Sequence, residues 1–415
     1  MSQSFLSWLR SEAGVGRHEF GEYLWKSTSA GGLDTAMRAW GRSSCTWRVD
    51  SGATRVVQKE GCTMNKVRCA VIGAGWWGTT AHVPALYHHP QAELVAVQHH
   101  DPAKAERIAH DFKVPHGLTT AEEILELDGL QAVVVSSTPH LHHLQAKSAL
   151  QRGLHVLVEK PMTHSAAEAE ELVELAAEKN VQLIVGATFH YNRHVLEAKR
   201  LLQSGALGDI HLMCILFMDE ILGLYQGLSW KEFAGNHPDP EVEAEPYIQP
   251  GRTSYSDPKI SGGGQIYAQV SHVAALAPFL TGDQPVAVNG LLNNADAAVD
   301  VYDALSFKLQ RGTIVSLASG GRIGNAPRHL DVRIYGTRGV IEMELLAGTM
   351  QHWDHAGELT TYPPLKTDEE LYPRFSPARN LVDVVLGRAA NGSPGDVGLS
   401  TMQIIEQACR SSQRV

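Results

Sequence analysis

After residue 66 the chain is punctuated by short apolar runs: Val67-Arg68-Cys69-Ala70-Val71-Ile72, Leu94-Val95-Ala96-Val97, Ala132-Val133-Val134-Val135, His155-Val156-Leu157-Val158 and Leu183-Ile184-Val185. Stretches of helical pattern separate them. Continuous runs of this length predict strands buried on both faces, as in a parallel sheet sandwiched between helices. Beyond about Gly208 the period falls to two. Leu305, Phe307 and Leu309 alternate with Ser306, Lys308 and Gln310, and Ile341, Met343 and Leu345 alternate with Glu342 and Glu344. One apolar and one polar face per strand predicts half-buried, mostly antiparallel strands. The chain therefore reads as α/β, with an N-terminal doubly wound parallel sheet and a C-terminal α/β domain built on a mostly antiparallel open sheet.

The pattern divides the chain into residues 64–187 and 188–415. The second unit includes a long connection, 218–261, carrying Pro238, Pro240, Pro246, Pro250 and Pro258; segments of that length are commonly lids or binding loops. Residues 1–63 lack sustained periodicity, are rich in Ser, Gly, Arg and Trp, and are mildly basic where the remainder is acidic. Met64 directly precedes the first strand, so residues 1–63 are expected to lie upstream of the natural start, the alternative being a real extension outside the pattern of the rest.

The first strand runs into Gly73-Ala74-Gly75-Trp76-Trp77-Gly78 and then a helical pattern. A Gly-x-Gly-x-x-Gly turn between strand and helix is a dinucleotide-binding start, the Rossmann arrangement. Gly73 permits the tight turn, Gly75 lets the backbone approach a pyrophosphate, and Gly78 lets helix and strand pack closely, while helix N–H groups face the phosphates. Trp76 and Trp77 join the turn as cofactor candidates. An acidic residue about 20 positions on would hold the adenosine ribose; that position is His99. Without the carboxylate nothing repels a 2′-phosphate, and His99 or His100 can donate to one, whereas Asp101 can still reach a ribose. NAD and NADP both remain open.

A later strand ends in Glu159-Lys160-Pro161, at the sheet edge where doubly wound folds bind ligands. Together with Thr138-Pro139-His140, His143, His82, Pro84, the run Gly205-Ala206-Leu207-Gly208-Asp209-Ile210, the glycines leading from Gly262 to the Ser271-His272 pair, and Gly336-Thr337-Arg338-Gly339, this triplet resembles the glucose-fructose oxidoreductase, inositol dehydrogenase and rhizopine-catabolism family (Gfo/Idh/MocA). The resemblance runs from about Lys66 to the C-terminus. It implies Thr138, Pro139, His140, His143, Glu159 and Lys160 on the cofactor side, a second domain that covers the substrate, and a homodimer or homotetramer.

His272 matches the family's catalytic histidine. The family's Asp four residues earlier is absent, and Ala268 stands in its place. As a regular helix, the run from Gln265 places Gln265, Gln269 and His272 on one face, so these, with Tyr191, Arg252 and Asp257, are the substrate-side candidates. Trp230 and Tyr255 offer apolar surface, and Tyr267 is a further orienting group. Oxidising an alcohol needs a base that a nicotinamide does not carry. Lys160 is the candidate, because desolvation and a neighbouring positive ring both disfavour its charged form; its structural alternative is an ion pair with Glu159.

The remaining composition narrows the classes. A formal charge of −10 argues against nucleic acid and anionic membranes as partners. Five cysteines without paired spacing indicate neither a metal site nor a disulfide framework, which fits a cytoplasmic protein. The expectation is an NAD(P)-dependent dehydrogenase transferring a hydride to or from a ring hydroxyl or ketone of a sugar, sugar derivative or cyclitol. Two alternatives stand beside it: a glycoside-cleaving enzyme using transient oxidation by a held NAD, and a non-catalytic dinucleotide-binding regulator.

Overall fold

The computed structural model describes residues 66–237, 242 and 245–413, together with one antiparallel pair of strands, Trp47–Val49 and Val56–Gln58, in a separate N-terminal unit. Those strands apart, the expectation about residues 1–63 falls outside the described residues.

The apolar runs form one six-stranded parallel sheet: β1 (Val67–Ile72), β2 (Ala92–Gln98), β3 (His116–Leu118), β4 (Ala132–Val135), β5 (His155–Val158) and β6 (Leu183–Val185), in the order β3-β2-β1-β4-β5-β6. Every residue of β4 is buried, as expected of a central strand with helices on both faces. The helices are α1 (Val83–Tyr87), α2 (Pro102–Asp111), α3 (Ala121–Leu125), α4 (Pro139–Gln151) and α5 (Ala166–Glu178). Their starts follow local chemistry: Thr120 with Glu123 and Ser165 with Glu168 form capping boxes on α3 and α5. The strand order reverses at β1, which lies between β2 and β4, and so opens a crevice beyond the carboxyl ends of β1 and β4.

After α6 (Arg193–Gln203) comes the second sheet: β7 (Ile210–Met218), β8 (Pro285–Asn293), β9 (Tyr302–Leu309), β10 (Ile314–Gly320), β11 (His329–Gly336), β12 (Val340–Glu344), β13 (Thr349–Trp353) and β14 (Leu359–Thr361). Its order is β8-β9-β10-β7-β11-β12-β13-β14, antiparallel except where β10 and β7 run parallel. The alternation read at Leu305, Phe307 and Leu309 is the buried side of β9. Helix α7 (Leu276–Thr281) lies among the buried residues beneath this sheet.

The C-terminal residues do not stay with the second sheet. Helix α8 (Ser376–Val385) packs on β4 and β5, and α9 (Gly395–Ser412) packs between α5 and β8. A single apolar core runs through both sheets. The connection 218–261 is not a bare loop either; it contains the short helices Leu222–Tyr225, Trp230–Gly235, Thr253–Ser256 and Pro258–Ser261. No helix among the described residues is long and apolar enough to cross a membrane.

Gly73 has a φ of +80°, and a Cβ there would lie 2.3 Å from the Ser137 amide nitrogen. Gly73→Ala is expected to destabilise the protein by on the order of 3 kcal/mol, left-handed strain adding to overpacking against backbone. A melting curve superimposable on the wild type would refute this reading of the turn.

Candidate active site

The glycine turn is braced from the end of β2. Gly73 N–H donates to Gln98 Oε1 at 2.9 Å, Ala74 N–H donates to Gln98 O at 2.7 Å, and Gln98 Nε2 donates to Thr119 O at 2.8 Å. A Cβ on Gly78 would meet Gly73 O at 2.7 Å, whereas one on Gly75 meets nothing within 4 Å. Gly73 and Gly78 are thus spent on internal packing, and the space at Gly75 is left open to a pyrophosphate, so the turn fits a dinucleotide. The following segment is π-helical over Gly78–His82 and leads into α1.

Where an NAD-type acid would stand, His99 is buried, and its Nδ1 accepts the Asp101 N–H at 3.0 Å. Burial, with the charges of His100 and Lys104, pushes its pKa down to about 4, so it is neutral and offers no charge to a 2′-phosphate. His100 is exposed and stacks on it, with ring centroids 4.5 Å apart. Asp101 Oδ1 accepts the Ala103 and Lys104 N–H groups and caps α2, and its Oδ2 lies 3.9 Å from Lys104 Nζ.

On the other side of the crevice Thr138 and Pro139 open α4. His140, in the first turn, is exposed. His143 does not join the cofactor side; it turns onto α5, where its Nε2 lies 2.6 Å from Glu171, a residue also paired with Lys147. Its neighbour His142, which the sequence reading passed over, is buried between Pro161 O at 2.8 Å and Ser137 O at 2.9 Å, and ties the ends of β4 and β5 together.

Glu159 is 5% exposed. Its Oε1 accepts the Trp77 indole N–H at 2.9 Å and lies 2.8 Å from His82 Nε2, and its Oε2 accepts the Lys160 backbone N–H at 3.0 Å. Burial alone would raise its pKa, but His82 and the charge of Lys160 outweigh burial and hold it below the usual carboxylate range. Trp77 and Glu159 therefore anchor each other at the glycine turn. The amine of Lys160 is not salt-bridged to Glu159; Nζ donates to Ala268 O at 3.0 Å, across to the second domain. Burial lowers the pKa of the amine, opposed by Glu159.

Gln265, Gln269 and His272 do not share a face. Ile266–Val270 is π-helical before the turn Ser271–Val273, and i→i+5 bonding adds a residue to the turn. Gln265 enters the core, accepting from Tyr225 OH and donating to Ser319 Oγ, both at 2.7 Å. Gln269 Nε2 donates to Asp219 Oδ2 at 2.8 Å, and Asp219 is in turn 2.6 Å from Arg328 Nε. His272 is 6% exposed, with Phe189 and Tyr372 edge-on at 6.1 Å. Its Nδ1 is buried without a partner among the described residues, and burial together with the charge of Lys160 holds the ring well below the usual histidine range, hence neutral.

Three other substrate-side candidates serve the scaffold. Tyr191 OH donates to Asn380 Oδ1 at 3.1 Å, Arg252 pairs with Glu232 at 3.0 Å, and Asp257 caps the helix Pro258–Ser261. Tyr267 OH donates to His164 O at 3.0 Å, which places it outside the crevice. Trp230 does lie near the turn, 4.9 Å from Trp76 and in one apolar cluster with Tyr255. Tyr372, on the C-terminal segment between Trp77, Phe189 and His272, had no signal in the sequence. Asp219 and Arg328 lie 109 residues apart and meet only through the sheet.

Residues 67–187 match the family described as an oxidoreductase family with an NAD-binding Rossmann fold, and residues 195–342 match the GFO/IDH/MocA C-terminal domain. The chain belongs to the GFO/IDH/MocA oxidoreductase family. This GFO/IDH/MocA protein is 24% identical over 371 residues to a scyllo-inositol 2-dehydrogenase (NADP(+)) of Bacillus subtilis, covering 84% of this chain and 95% of that protein. Higher identities are confined to shorter stretches. An uncharacterized oxidoreductase of Synechocystis is 39% identical over 144 residues, 35% of this chain, and a dTDP-3,4-didehydro-2,6-dideoxy-alpha-D-glucose 3-reductase of Saccharopolyspora spinosa is 36% identical over 152 residues, 36% of this chain. The matched regions span only 38% and 45% of those two proteins. The fold is shared with a levoglucosan dehydrogenase solved with NADH, at a TM-score of 0.70 and 18% identity, covering 84% of this chain and 98% of the other.

Two outcomes follow for this GFO/IDH/MocA site. Gly75→Val should fold normally yet lose NAD and NADP binding by calorimetry, since its side chain enters space that only a cofactor needs; unchanged affinity would contradict the assignment. Ala268 packs with Ile221, Leu222, Tyr225, Val299 and Val301. Ala268→Asp should therefore cost about 1–3 kcal/mol of stability as an unpartnered buried carboxyl, instead of restoring the family's usual acid beside His272; a variant melting at or above the wild type would show that the carboxyl finds the histidine.

Proposed function

We propose that this protein is an NAD(P)-dependent dehydrogenase acting on a ring CH–OH group of a sugar, sugar derivative or cyclitol, with Lys160 handling the hydroxyl proton and His272 beside it. The observation that carries this reading is the Lys160 amine, fixed on Ala268 O at 3.0 Å at the carboxyl edge of β5, with its charge disfavoured by burial. A bound nicotinamide would accept or donate the hydride and would supply no base. Lys160, brought toward useful acid–base behaviour by desolvation, takes the hydroxyl proton in the oxidising direction and returns it in the other. His272 is neutral and has a free ring nitrogen, so it can accept a hydrogen bond or a proton from Lys160 or the substrate.

The names of the inositol and levoglucosan dehydrogenases to which the chain is similar support a polyhydroxylated ring as substrate. The outer face of the second sheet, with Leu212, Leu216, Tyr302 and Ile314 exposed, suits self-association.

The test is turnover of a panel of sugars, inositols and glycosides with NAD and NADP, followed by nicotinamide absorbance, in wild type and Lys160→Ala. The variant should lose roughly 10²–10⁴-fold in kcat with cofactor affinity unchanged. Cleavage of a glycoside without net absorbance change would favour the transient-oxidation reading, and retention of more than about half the wild-type rate would remove Lys160 from the chemistry.

A further inference from the structure

A buried pair of carboxyl groups lies beneath the start of the segment that carries Ala268 and His272. The Asp300 carboxylate accepts the Gly264 N–H at 2.8 Å and the Ile266 N–H at 2.6 Å, while the Asp300 carbonyl accepts the Gln265 N–H at 2.9 Å. One residue thus satisfies three consecutive amides that the first helical turn leaves without internal partners. The approach demands glycine: a Cβ on Gly264 would fall 1.9 Å from Asp300 O. Asp303 follows on β9 and is 4% exposed. Both of its carboxyl oxygens are sealed from solvent and meet no donor among the described residues, and its polar neighbour is the Asp300 carboxyl group. Opposite it on β10, Ser319 Oγ accepts from Gln265 Nε2, and no hydrogen bond joins it to Asp303.

We propose that Asp303 is a positioning residue: its carboxyl group donates a hydrogen bond to Asp300, holds that carboxylate on the Gly264 and Ile266 amides, and thereby fixes Ala268 and His272 against Lys160. The inference rests on the roles proposed above for Lys160 and His272, but its test needs no turnover.

Two neighbouring buried carboxylates, one of them without any donor, cannot both ionise at low cost. Burial, then the charge of Asp300, pushes the Asp303 pKa up to about 9, so at neutral pH Asp303 is an acid and a donor. The other groups around the pair carry no competing charge over that range. Tyr225, on the helix Leu222–Tyr225, and Cys409, on α9, are both raised, the thiol to about 12; Tyr267 is raised as well. Asp219, near Tyr225, is paired with Arg328, and Glu406, near Cys409, with Arg410. Ionisation of Asp303 would set a second negative charge against Asp300 and pull the anchor from the segment. Because the folded-state pKa is raised above the unfolded value of about 3.9, the stability this group contributes is fully present below about pH 4 and is lost as pH rises to about 9.

The test uses the full chain with NAD present and isotope-labelled histidine, the His272 ring signal being assigned by its loss in His272→Gln. In the wild type that signal should move with a midpoint at about pH 9. In Asp303→Asn, whose amide keeps a donor toward Asp300, it should stay at its neutral-pH position throughout. Asp303→Leu, which has no donor, should show a displaced signal already at neutral pH. The melting temperature of Asp303→Asn should exceed that of the wild type by a margin that grows with pH over the same range. A His272 signal that ignores pH leaves Asp303 a purely structural acid and overturns the proposal, whatever the melting curves show. A titration shared by wild type and Asp303→Asn belongs to Lys160 and overturns it equally. If Asp303→Leu fails to fold, the comparison of wild type with Asp303→Asn decides alone.

Discussion

The bond from Lys160 Nζ to Ala268 O, at 3.0 Å, is the constraint on which the site depends. It joins the end of a strand in the parallel sheet to a segment packed under the second sheet, so the proton chemistry proposed for Lys160 and His272 would draw on both. A lysine on a flexible stem would keep its charge in water. Here the amine of the half-buried Lys160 donates to a backbone carbonyl, and its desolvation disfavours the ammonium form.

Around that bond, charge is managed by pairing. Glu159 would be the obvious partner for Lys160, and had it taken the amine, the lysine would be a strong, inert cation. Its carboxylate is occupied instead by His82, the Trp77 indole and a backbone amide, which leaves the amine free to turn toward the second domain. The segment that ends in His82, Gly78–His82, and the segment that leads to His272, Ile266–Val270, are both π-helical. Such widened turns are rare and cluster at functional sites, because the extra residue redirects side chains that a regular helix would stack.

The parts of this arrangement that could be read from the chain are those with a local cause. Buried strands show as uninterrupted Val and Ile, the Gly73 turn shows because left-handed backbone and close packing both exclude side chains, and Lys160 shows because Pro161 and the strand before it mark the sheet edge. Less legible were residues with a second use: Asp101 also caps α2, His143 also pairs with a charged helix face, and the helical spacing of Gln265, Gln269 and His272 assumed a regular turn that the π-helix breaks. Tyr372, Asp219, Arg328 and Asp303 carried no local signal, because their meaning comes from partners brought close only by the two sheets and the returning C-terminal helices.

The account turns on the state of one amine. Titration of Lys160 Nζ by NMR in the full chain with NAD bound, its signal assigned by Lys160→Ala, measures that state directly. A pKa clearly below the usual lysine value of about 10.4 is expected, with the amine hydrogens protected from solvent exchange by the Ala268 contact. An amine that titrates at the ordinary value and exchanges freely with water would mean that Lys160 is a solvated cation, and the site would have to draw its base from elsewhere.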